Sequence, residues 1–513
     1  MAYIESSPSG KKPNLFSAIT IGVGSIIGSG WLFASYKASQ VAGPLAIGSW
    51  VIGALLALFV ALLLAEIATI FTNETGLFAR LLTISHNSDM GFIISSSNWF
   101  CTIIIIPAEA EASLQYIVEA FPKYSEQLFS HGHFTGMGIG VVCIIMFLYG
   151  LINYWGIQLL AKANNLITTF KLIVPTATAL IFFWASWNPG NFTAYHDTIA
   201  PYGYNKMISA IVTCGIFYSF YGFNTITFFS KELDNPQKNI PLALAGSILI
   251  CLAIYLLLQI SFIGSVTPDM IVNGWHSLNF NSPLAQLSIL FGMNWLAIVL
   301  YVDAAISPSG TGIIFVGSSA RIFTGMAQDG QMPKIFANLH PLHGVSRLSI
   351  VVTLAFCMCL VIFFDNWDKI MIVVSAFMSI SCMAVPVAFH RLRRDNSAKR
   401  PFRMPAGLTL GYIVYLLITY LLVQCSFPAL LLSFIFHAVL FVIYCSVYHK
   451  SWHKSWRALL SSWTMFAYLI MTAIFGYITD NHLLDETTII IALIVLSSFN
   501  YYLLINQKNY NKE

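Results

Sequence analysis

The stretch Ile21–Trp31, with the sequence I-G-V-G-S-I-I-G-S-G-W, is the most informative part of this chain for its fold. It places four glycines in the middle of an apolar run that is long enough to cross a lipid bilayer. Glycines at that depth have two interpretations. Either they let neighbouring helices pack closely, or they mark an unwound segment whose peptide groups face a cavity instead of lipid. The spacing within this stretch leaves both interpretations open.

The chain around this stretch is apolar from end to end. Of its 513 residues, 57% are hydrophobic and only 9% are charged, and the mean hydropathy is +0.75. A soluble protein of this length would carry far more surface charge, so the composition predicts an all-α integral membrane protein. The basic run between His390 and Arg403 falls between two apolar runs, where it would face anionic lipid, and we therefore expect no nucleic-acid partner.

Apolar runs of about 20 residues predict about 14 transmembrane helices. They lie at roughly 15–38, 44–70, 92–119, 136–157, 163–187, 206–230, 241–265, 285–325, 348–365, 369–391, 408–425, 428–448, 459–479 and 487–505. With the N-terminus inside, 20 of the 25 Lys and Arg residues fall in cytoplasmic segments, as the positive-inside rule requires. Both termini are therefore predicted to be cytoplasmic.

A second interrupted helix is predicted at Phe217–Thr227, with the sequence F-Y-S-F-Y-G-F-N-T-I-T. It places Gly222, Asn224 and several hydroxyl groups at mid-depth. Because this interruption lies in the sixth predicted helix and the other lies in the first, the two segments enter the membrane in opposite directions, which is typical of an inverted-repeat transporter. A broken helix exposes N–H groups at one half-helix end and C=O groups at the other, and these suit the carboxylate and the ammonium of an amino acid.

Further motifs follow in order along the chain. They are Ala65-Glu66 at the end of helix two, K-E-L-D-N-P-Q-K-N-I-P after the sixth helix, and S-S-A-R-I-F-T-G-M-A-Q-D-G-Q-M-P at 318–333. With the two glycine-containing stretches, they resemble the amino acid/polyamine/organocation transporter superfamily over roughly the first ten to twelve helices. Two more stretches, P-A-E-A-E-A-S-L-Q-Y at 107–116 and D-A-A-I-S-P-S-G-T-G at 303–312, resemble bacterial aspartate-proton symporters. The chain departs from the family pattern at Asn224, where a glutamate is usual.

The resemblance implies a five-plus-five inverted-repeat core of the leucine-transporter type, with helices 1 and 6 broken. This core would span 15–395, between a tail at 1–14 and the accessory helices 11–14 at 404–506, with a short tail at 507–513. The implied function is symport of a proton and an amino acid, aspartate or another small one, by alternating access in the bacterial inner membrane, without a cofactor. The implied substrate-binding residues are Ser25, Ile26, Gly28, Ser29 and Gly30 for the carboxylate, and Tyr218, Ser219, Tyr221 and Asn224 around the ammonium.

Four ionisable residues lie within predicted spans, where a charge is costly enough to suggest function: Glu109, Glu111, Lys171 and Asp303. Lys171 matches a family lysine that occupies the position of a bound cation in sodium-driven relatives. An ammonium that loses its proton on burial could link transport to pH, although its stem could also snorkel to the membrane surface. Asp303 is the second proton candidate. An ion pair between Lys171 and Asp303 is left open.

Glu109 and Glu111 are two residues apart on one helix and cannot share a face, so at most one faces the pathway. Their predicted position is a hydrated vestibule near the outer end of helix three, and Glu111 is taken as the third coupling candidate. Exchange of an amino acid for an amine or polyamine, and a nutrient sensor built on the same fold, are alternatives to symport. Motifs of membrane-embedded enzymes are missing from the sequence. His340 and His343 lack a third ligand, so no metal site is expected, and the oligomeric state is left open.

Overall fold

The computed structural model describes residues 14–74, 76–130, 132–155, 157–230, 233–340, 346–364, 367–395 and 399–507. Apart from Asn14 and Gln507, the two predicted tails lie outside the described residues, as does His343. The first half contains α1 (Leu15–Ile26), α2 (Gly30–Ala42), α3 (Ala46–Ile70), α4 (Leu81–Ser85), α5 (Ser88–Ala120), α6 (Pro122–Leu128), α7 (Gly136–Trp155) and α8 (Ile157–Ala185). A two-stranded antiparallel hairpin, β1 (Phe129–Ser130) and β2 (His133–Phe134), joins α6 to α7.

The remaining helices are α9 (Tyr204–Thr213), α10 (Pro236–Ser265), α11 (Pro283–Leu290), α12 (Asn294–Gln328), α13 (Arg347–Phe363), α14 (Trp367–Asp395), α15 (Gly407–Val423), α16 (Phe427–Tyr444), α17 (Trp452–Asp480) and α18 (Glu486–Asn506). A π-helical turn, Cys445–His449, extends α16. Short 3-10 segments connect several helices, at Gly43–Leu45, Pro189–Phe192, Tyr218–Phe220, Phe223–Phe229, Pro268–Ile271, Trp275–Ser277 and Lys334–Ala337.

The described residues contain ten helical segments that are long and apolar enough to cross a membrane, or 11 if one bent pair counts as a single span. One of the ten, Gly30–Ile70, is a tract of 41 residues that contains both α2 and α3. Three shorter apolar helices, α1, α13 and α15, fall below that length. The predicted class, an all-α membrane protein of many spans, is therefore confirmed, whereas the predicted number of 14 is not reached on length and apolarity alone.

One predicted helix is divided in the structure. The run at 285–325 forms two helices, α11 and α12, which are separated at Gly292. Gly292 has a φ of 72°, a left-handed conformation that ends a helix, and its N–H donates to the carbonyl of Ile289. The prediction of one continuous helix was wrong here, because the apolar pattern continues through this turn.

The helix α5 forms the centre of the molecule. It begins at a capped N-terminus, where the Asn87 side chain accepts a hydrogen bond from the N–H of Met90, and nearly all of its residues are buried. It packs along α12 and α14, while α1 packs against α8, α10 and α12. A helix that is buried on every side can carry polar groups only where they find partners, so the buried polar residues of α5 are expected to contact neighbouring helices.

Two ion-pair clusters fasten loops to helix ends. Glu66 in α3 is completely buried, and one of its carboxylate oxygens lies 3.0 Å from Arg400 and 3.4 Å from Arg393. Its other oxygen accepts the N–H of Met404 at 2.7 Å, so Glu66 anchors the loop between α14 and α15. Arg80, before α4, donates to both oxygens of Asp329 at the end of α12, at 2.7 and 2.6 Å. Burial in this cluster disfavours the charge of Arg80, but its acidic partners keep its pKa above the usual value.

Candidate functional site

The first interrupted helix breaks between α1 and α2. The last regular bond of α1 runs from the N–H of Ile27 to the carbonyl of Val23, and Ile27 itself is extended, with φ −78° and ψ 99°. Helical structure resumes at Gly30. The unwound segment is therefore Ile27–Ser29, only the last part of the glycine-containing stretch. The end of α1 and the beginning of α2 meet at this break, with the carbonyl groups of one and the N–H groups of the other.

The glycines of this stretch divide between the two interpretations. A methyl group on Gly22 would lie 2.8 Å from the side chain of Ser247, and one on Gly24 would lie 2.7 Å from the hydroxyl of Thr168. Both residues are inside α1, so they permit close helix packing. Gly28 lies in the break itself. Close packing therefore accounts for Gly22 and Gly24, whereas Gly28 lies in unwound backbone.

The second interruption has two parts. The helix α9 ends at Thr213 and Gly215 has a φ of 72°, while Gly222, which follows the turn Tyr218–Phe220, has a φ of 120°. The segments Tyr204–Thr213 and Tyr218–Phe228 are inclined at 54°. A Cβ atom on Gly222 would overlap the backbone carbonyl of Ser25, so only glycine fits where the two broken helices touch.

A buried carboxylate occupies the break between α1 and α2. Glu109 of α5 accepts the N–H of Ser29 at 2.7 Å with one oxygen and the hydroxyl of Tyr218 at 2.5 Å with the other. The carboxylate also lies so close to Gly28 that a Cβ atom there would overlap it. The indole N–H of Trp367 donates to the hydroxyl of Ser29 at 3.1 Å. The Glu109 carboxyl group thus lies at the N-terminus of α2, where the helix dipole favours negative charge.

The structure brings most of the predicted substrate-binding residues to this region. Ser25, Ile26, Gly28, Ser29 and Gly30 are all buried at or beside the break. Gly30 faces Ser219 so closely that a Cβ atom would overlap its hydroxyl. The hydroxyls of Ser25 and Ser219 donate to carbonyls of their own segments, so their side chains are already satisfied.

Tyr221, one of the predicted substrate residues, contacts α5 and α12. The hydroxyl of Tyr221 accepts a hydrogen bond from the side-chain amide of Asn98 in α5 at 2.9 Å, and its ring stacks on Phe315 of α12. Asn224 follows Gly222 by two residues and is buried. Its backbone carbonyl accepts a hydrogen bond from the hydroxyl of Thr227. Within the described residues, the side-chain oxygen of Asn224 has no hydrogen-bond partner.

Lys171 of α8 lies against the end of α1. Its ammonium donates to the carbonyl of Gly24 at 2.8 Å and to the hydroxyl of Thr311 at 2.6 Å. The Thr311 hydroxyl in turn donates to the carbonyl of Ile27, at 3.1 Å. Lys171 is almost completely buried, so its ammonium does not snorkel to a membrane surface. A cation is held at the C-terminal end of α1, where the helix dipole favours positive charge.

The other coupling candidates differ in their relation to this lysine. Asp303 is buried and accepts the Ser307 hydroxyl at 2.9 Å. None of the ion pairs between described residues joins Asp303 to Lys171, although the carboxylates of Asp303 and Glu109 are near enough to act on the ammonium electrostatically. Glu111 is buried on a different face of α5 from Glu109. Neither glutamate is in a hydrated vestibule, because both have no exposed surface.

Several hydrogen-bond partners in this region were not predicted from the sequence. Thr311 could be found from its position four residues after Ser307 on the face of Asp303. No sequence pattern indicates that Trp367 and Tyr255 contact this region, because aromatic residues are common throughout the apolar runs. The hydroxyl of Tyr255 donates to the backbone carbonyl of Ser219 at 3.0 Å. It thereby holds the segment between Gly215 and Gly222 in place.

Comparison with known proteins identifies relatives along most of the chain. Residues 14–435 match the amino acid permease family. A glutamate/serine transporter of Bacillus subtilis, AimA, is 39% identical over 418 residues, which cover 80% of this chain and 77% of that protein. An aspartate-proton symporter of the same organism is 29% identical over 478 residues, covering 91% and 90% of the two chains.

Solved structures support the fold. A manganese transporter of Eremococcus coleocola, solved as a mutant, covers 90% of this chain and 95% of its own, with a TM-score of 0.56 and 14% identity. At that identity the likeness extends to the fold alone. The family match and the relatives carry the assignment: this chain belongs to the amino acid permease family, within the amino acid/polyamine/organocation superfamily.

Proposed function

We propose that this permease carries an acidic or small amino acid, such as aspartate, glutamate or serine, in symport with a proton by alternating access. The relatives support this substrate class, because they are named as a glutamate/serine transporter, an aspartate-proton symporter and, at 26% identity, a serine/threonine exchanger. The exchanger supports amino acid exchange as a second candidate function.

The proposed architecture has 14 crossings, with a five-plus-five inverted repeat at 15–395, accessory helices at 404–506 and both termini in the cytoplasm of a bacterium. The bent pair, α13 and α15 add three crossings to the ten long segments. The tract Gly30–Ile70 accounts for two crossings instead of one. Its first helix, α2, continues the broken crossing that begins with α1, and α3 forms the next crossing, which brings the total to 14. The occurrence of the two breaks in the first and sixth of these crossings supports the inverted repeat.

In the proposed binding mode, a zwitterion lies between the two broken helices. Its carboxylate would receive N–H groups of Gly28–Gly30 at the start of α2, and its ammonium would bind carbonyls of Tyr218–Tyr221. The side chains at this position are buried, which supports an occluded site that opens only when the helices move. Asn224, with its unpartnered side-chain oxygen, would complete the substrate pocket.

The observation that carries the coupling proposal is the contact between Lys171 and the end of α1. Its ammonium binds a carbonyl of α1 directly and, through Thr311, contacts the first residue of the break. Loss of the proton would weaken these charge-assisted bonds and so loosen α1 from α8 and α12. Protonation would thereby bias the position of the helix that binds substrate. Asp303 and Glu111 are proposed as further proton-carrying groups.

The test is uptake of labelled aspartate, glutamate, serine and neutral amino acids into proteoliposomes, with and without an imposed pH gradient. Wild type should concentrate at least one substrate when the gradient is present. Lys171→Ala should lose this accumulation, whereas Lys206→Ala, which removes an exposed lysine at the start of α9, should retain it. Full accumulation by Lys171→Ala would reject the lysine as the coupling group.

Counterflow separates the alternatives. A symporter exchanges labelled for unlabelled substrate and also performs net uptake. A strict exchanger performs the exchange but no net uptake. A nutrient sensor on the same fold would bind an amino acid but move none.

A further inference from the structure

Glu109 makes two hydrogen bonds that an incoming substrate carboxylate would also need. It accepts the N–H of Ser29, the residue before α2 begins, and the hydroxyl of Tyr218 in the opposite broken helix. It is completely buried, and its carboxylate lies against Gly28. The position at which the helix end favours an anion is thus filled by a side chain of the protein itself.

We propose that Glu109 is a tethered competitor of the substrate: its carboxylate occupies the substrate-carboxylate position of the empty site and must leave it when an amino acid binds. The inference rests on the proposed function and deepens it. Two ionised carboxylates cannot share one N–H group at the end of α2, because like charges in a buried site repel strongly. Substrate binding therefore requires that Glu109 move away or be neutralised.

Protonation provides a way to release the competitor. A neutral carboxyl group accepts hydrogen bonds less strongly than a carboxylate, so a proton on Glu109 would weaken its hold on Ser29. The ionisable groups that face it from neighbouring elements are Lys171 of α8, Tyr218 of the second break, Tyr149 of α7 and Tyr255 of α10. The lysine favours the ionised carboxylate and hence the occupied state. A substrate and a proton would then enter the empty site together, which is the stoichiometry of symport.

This role has an energetic consequence for affinity. The site can bind substrate only when Glu109 has left it. Its apparent Kd for substrate is therefore the intrinsic Kd divided by the fraction of time for which the site is vacant. Removing the charge should therefore strengthen binding. If Glu109 instead received the substrate's ammonium, removing its charge would weaken binding. The two roles therefore predict opposite changes in substrate affinity when the charge of Glu109 is removed.

The experiment measures equilibrium binding of the labelled amino acid that wild type transports, on purified protein in lipid nanodiscs, at one acidic and one alkaline pH. Wild type should bind more tightly at the acidic pH. Glu109→Gln should bind roughly tenfold more tightly than wild type at the alkaline pH, since a charge-assisted bond is replaced by a neutral one, and should lose most of the pH difference. Glu119→Gln removes a carboxylate near the end of the same helix and should behave as wild type.

Tyr218→Phe provides a second test that does not depend on the folding of the first variant. It keeps the backbone carbonyl proposed for substrate binding and removes only one of the two bonds to Glu109, so it should also raise affinity at the alkaline pH, by a smaller factor. Unchanged or weaker binding in both variants would overturn the inference while leaving transport by the wild type intact. Absence of any amino acid binding to wild type would instead reject the proposed function, and this inference with it.

Discussion

The ammonium of Lys171 and the hydroxyl of Thr311 are 2.6 Å apart, and that hydroxyl also donates to the carbonyl of Ile27 at 3.1 Å. Three helices, α8, α12 and α1, are thus joined at the residue where the first broken helix unwinds. Thr311 is buried, so each of its bonds is made in a medium of low dielectric constant. In the proposed coupling mechanism, this bridge links the charge state of the lysine to the substrate site.

Thr311→Val tests this bridge. Valine has the shape of threonine but leaves the carbonyl of Ile27 and the ammonium of Lys171 without this partner, a loss of about 1–3 kcal/mol. We expect gradient-driven uptake in proteoliposomes to fall by about tenfold or more. The matched control is Thr178→Val, because Thr178 is equally buried in α8 and bonds only to the carbonyl of Val174 in its own helix. Equal uptake by the two variants would show that the bridge is not used.

Gly222→Ala should disrupt the contact between the two broken helices. The φ of 120° is unfavourable for alanine, and the added Cβ atom would overlap the carbonyl of Ser25. Strain of this kind costs about 1–3 kcal/mol before any repacking. The expected result is a lower unfolding temperature of the purified protein and loss of uptake. Gly140→Ala, at an exposed helical position with open space around it, should instead leave both measurements unchanged or slightly improved.

Glu66→Gln should weaken the anchor of the loop after α14. The substitution keeps the size of the side chain but leaves Arg393 and Arg400 without their buried counter-charge, which costs about 3–5 kcal/mol when a buried pair is broken. Thermal unfolding in detergent should begin at a lower temperature than in wild type. Glu126→Gln removes an exposed carboxylate and provides the control. A Glu66→Gln protein as stable as this control would mean that the ion pairs contribute nothing.

The pair formed by Arg80 and Asp329 predicts a rescue. Arg80→Glu places two carboxylates together where the guanidinium now donates to both oxygens of Asp329, and uptake should fall several-fold. Adding Asp329→Arg restores opposite charges in reversed order and should recover a substantial part of the uptake. Arg80 also contacts Glu74, so the recovery is expected to be partial. No recovery in the double variant would indicate that the ion pair is not what the first substitution destroyed.

Much of the fold could be predicted from apolar runs, because the bilayer demands long helices with internally bonded backbones. The breaks lie in the predicted helices, but the first covers only Ile27–Ser29 of the predicted stretch, and the second begins earlier than predicted, after Thr213. Gly24 and its neighbours Ser25 and Ile26 remain helical, since a helix tolerates glycine where a neighbouring side chain such as Thr168 fills the space. The break itself depends on partners from distant helices, which a local pattern cannot reveal.

The same limit applies to the candidate site. A helical period showed that Glu109 and Glu111 face different directions, but the rotation of α5 about its axis is set by packing against α12 and α14. Only the structure shows that Glu109 meets the break. Trp367 comes from a helix more than 300 positions away in the sequence, and its contact with Ser29 depends entirely on the tertiary fold.

A cryo-electron microscopy map of the protein saturated with its substrate would show whether an amino acid binds between the two interrupted helices. We predict density between Ile27–Gly30 and Tyr218–Gly222, with the carboxylate at the start of α2 and Glu109 displaced from the N–H of Ser29. Density for the substrate at another place, with Glu109 still bonded to Ser29 and Tyr218, would exclude this binding site.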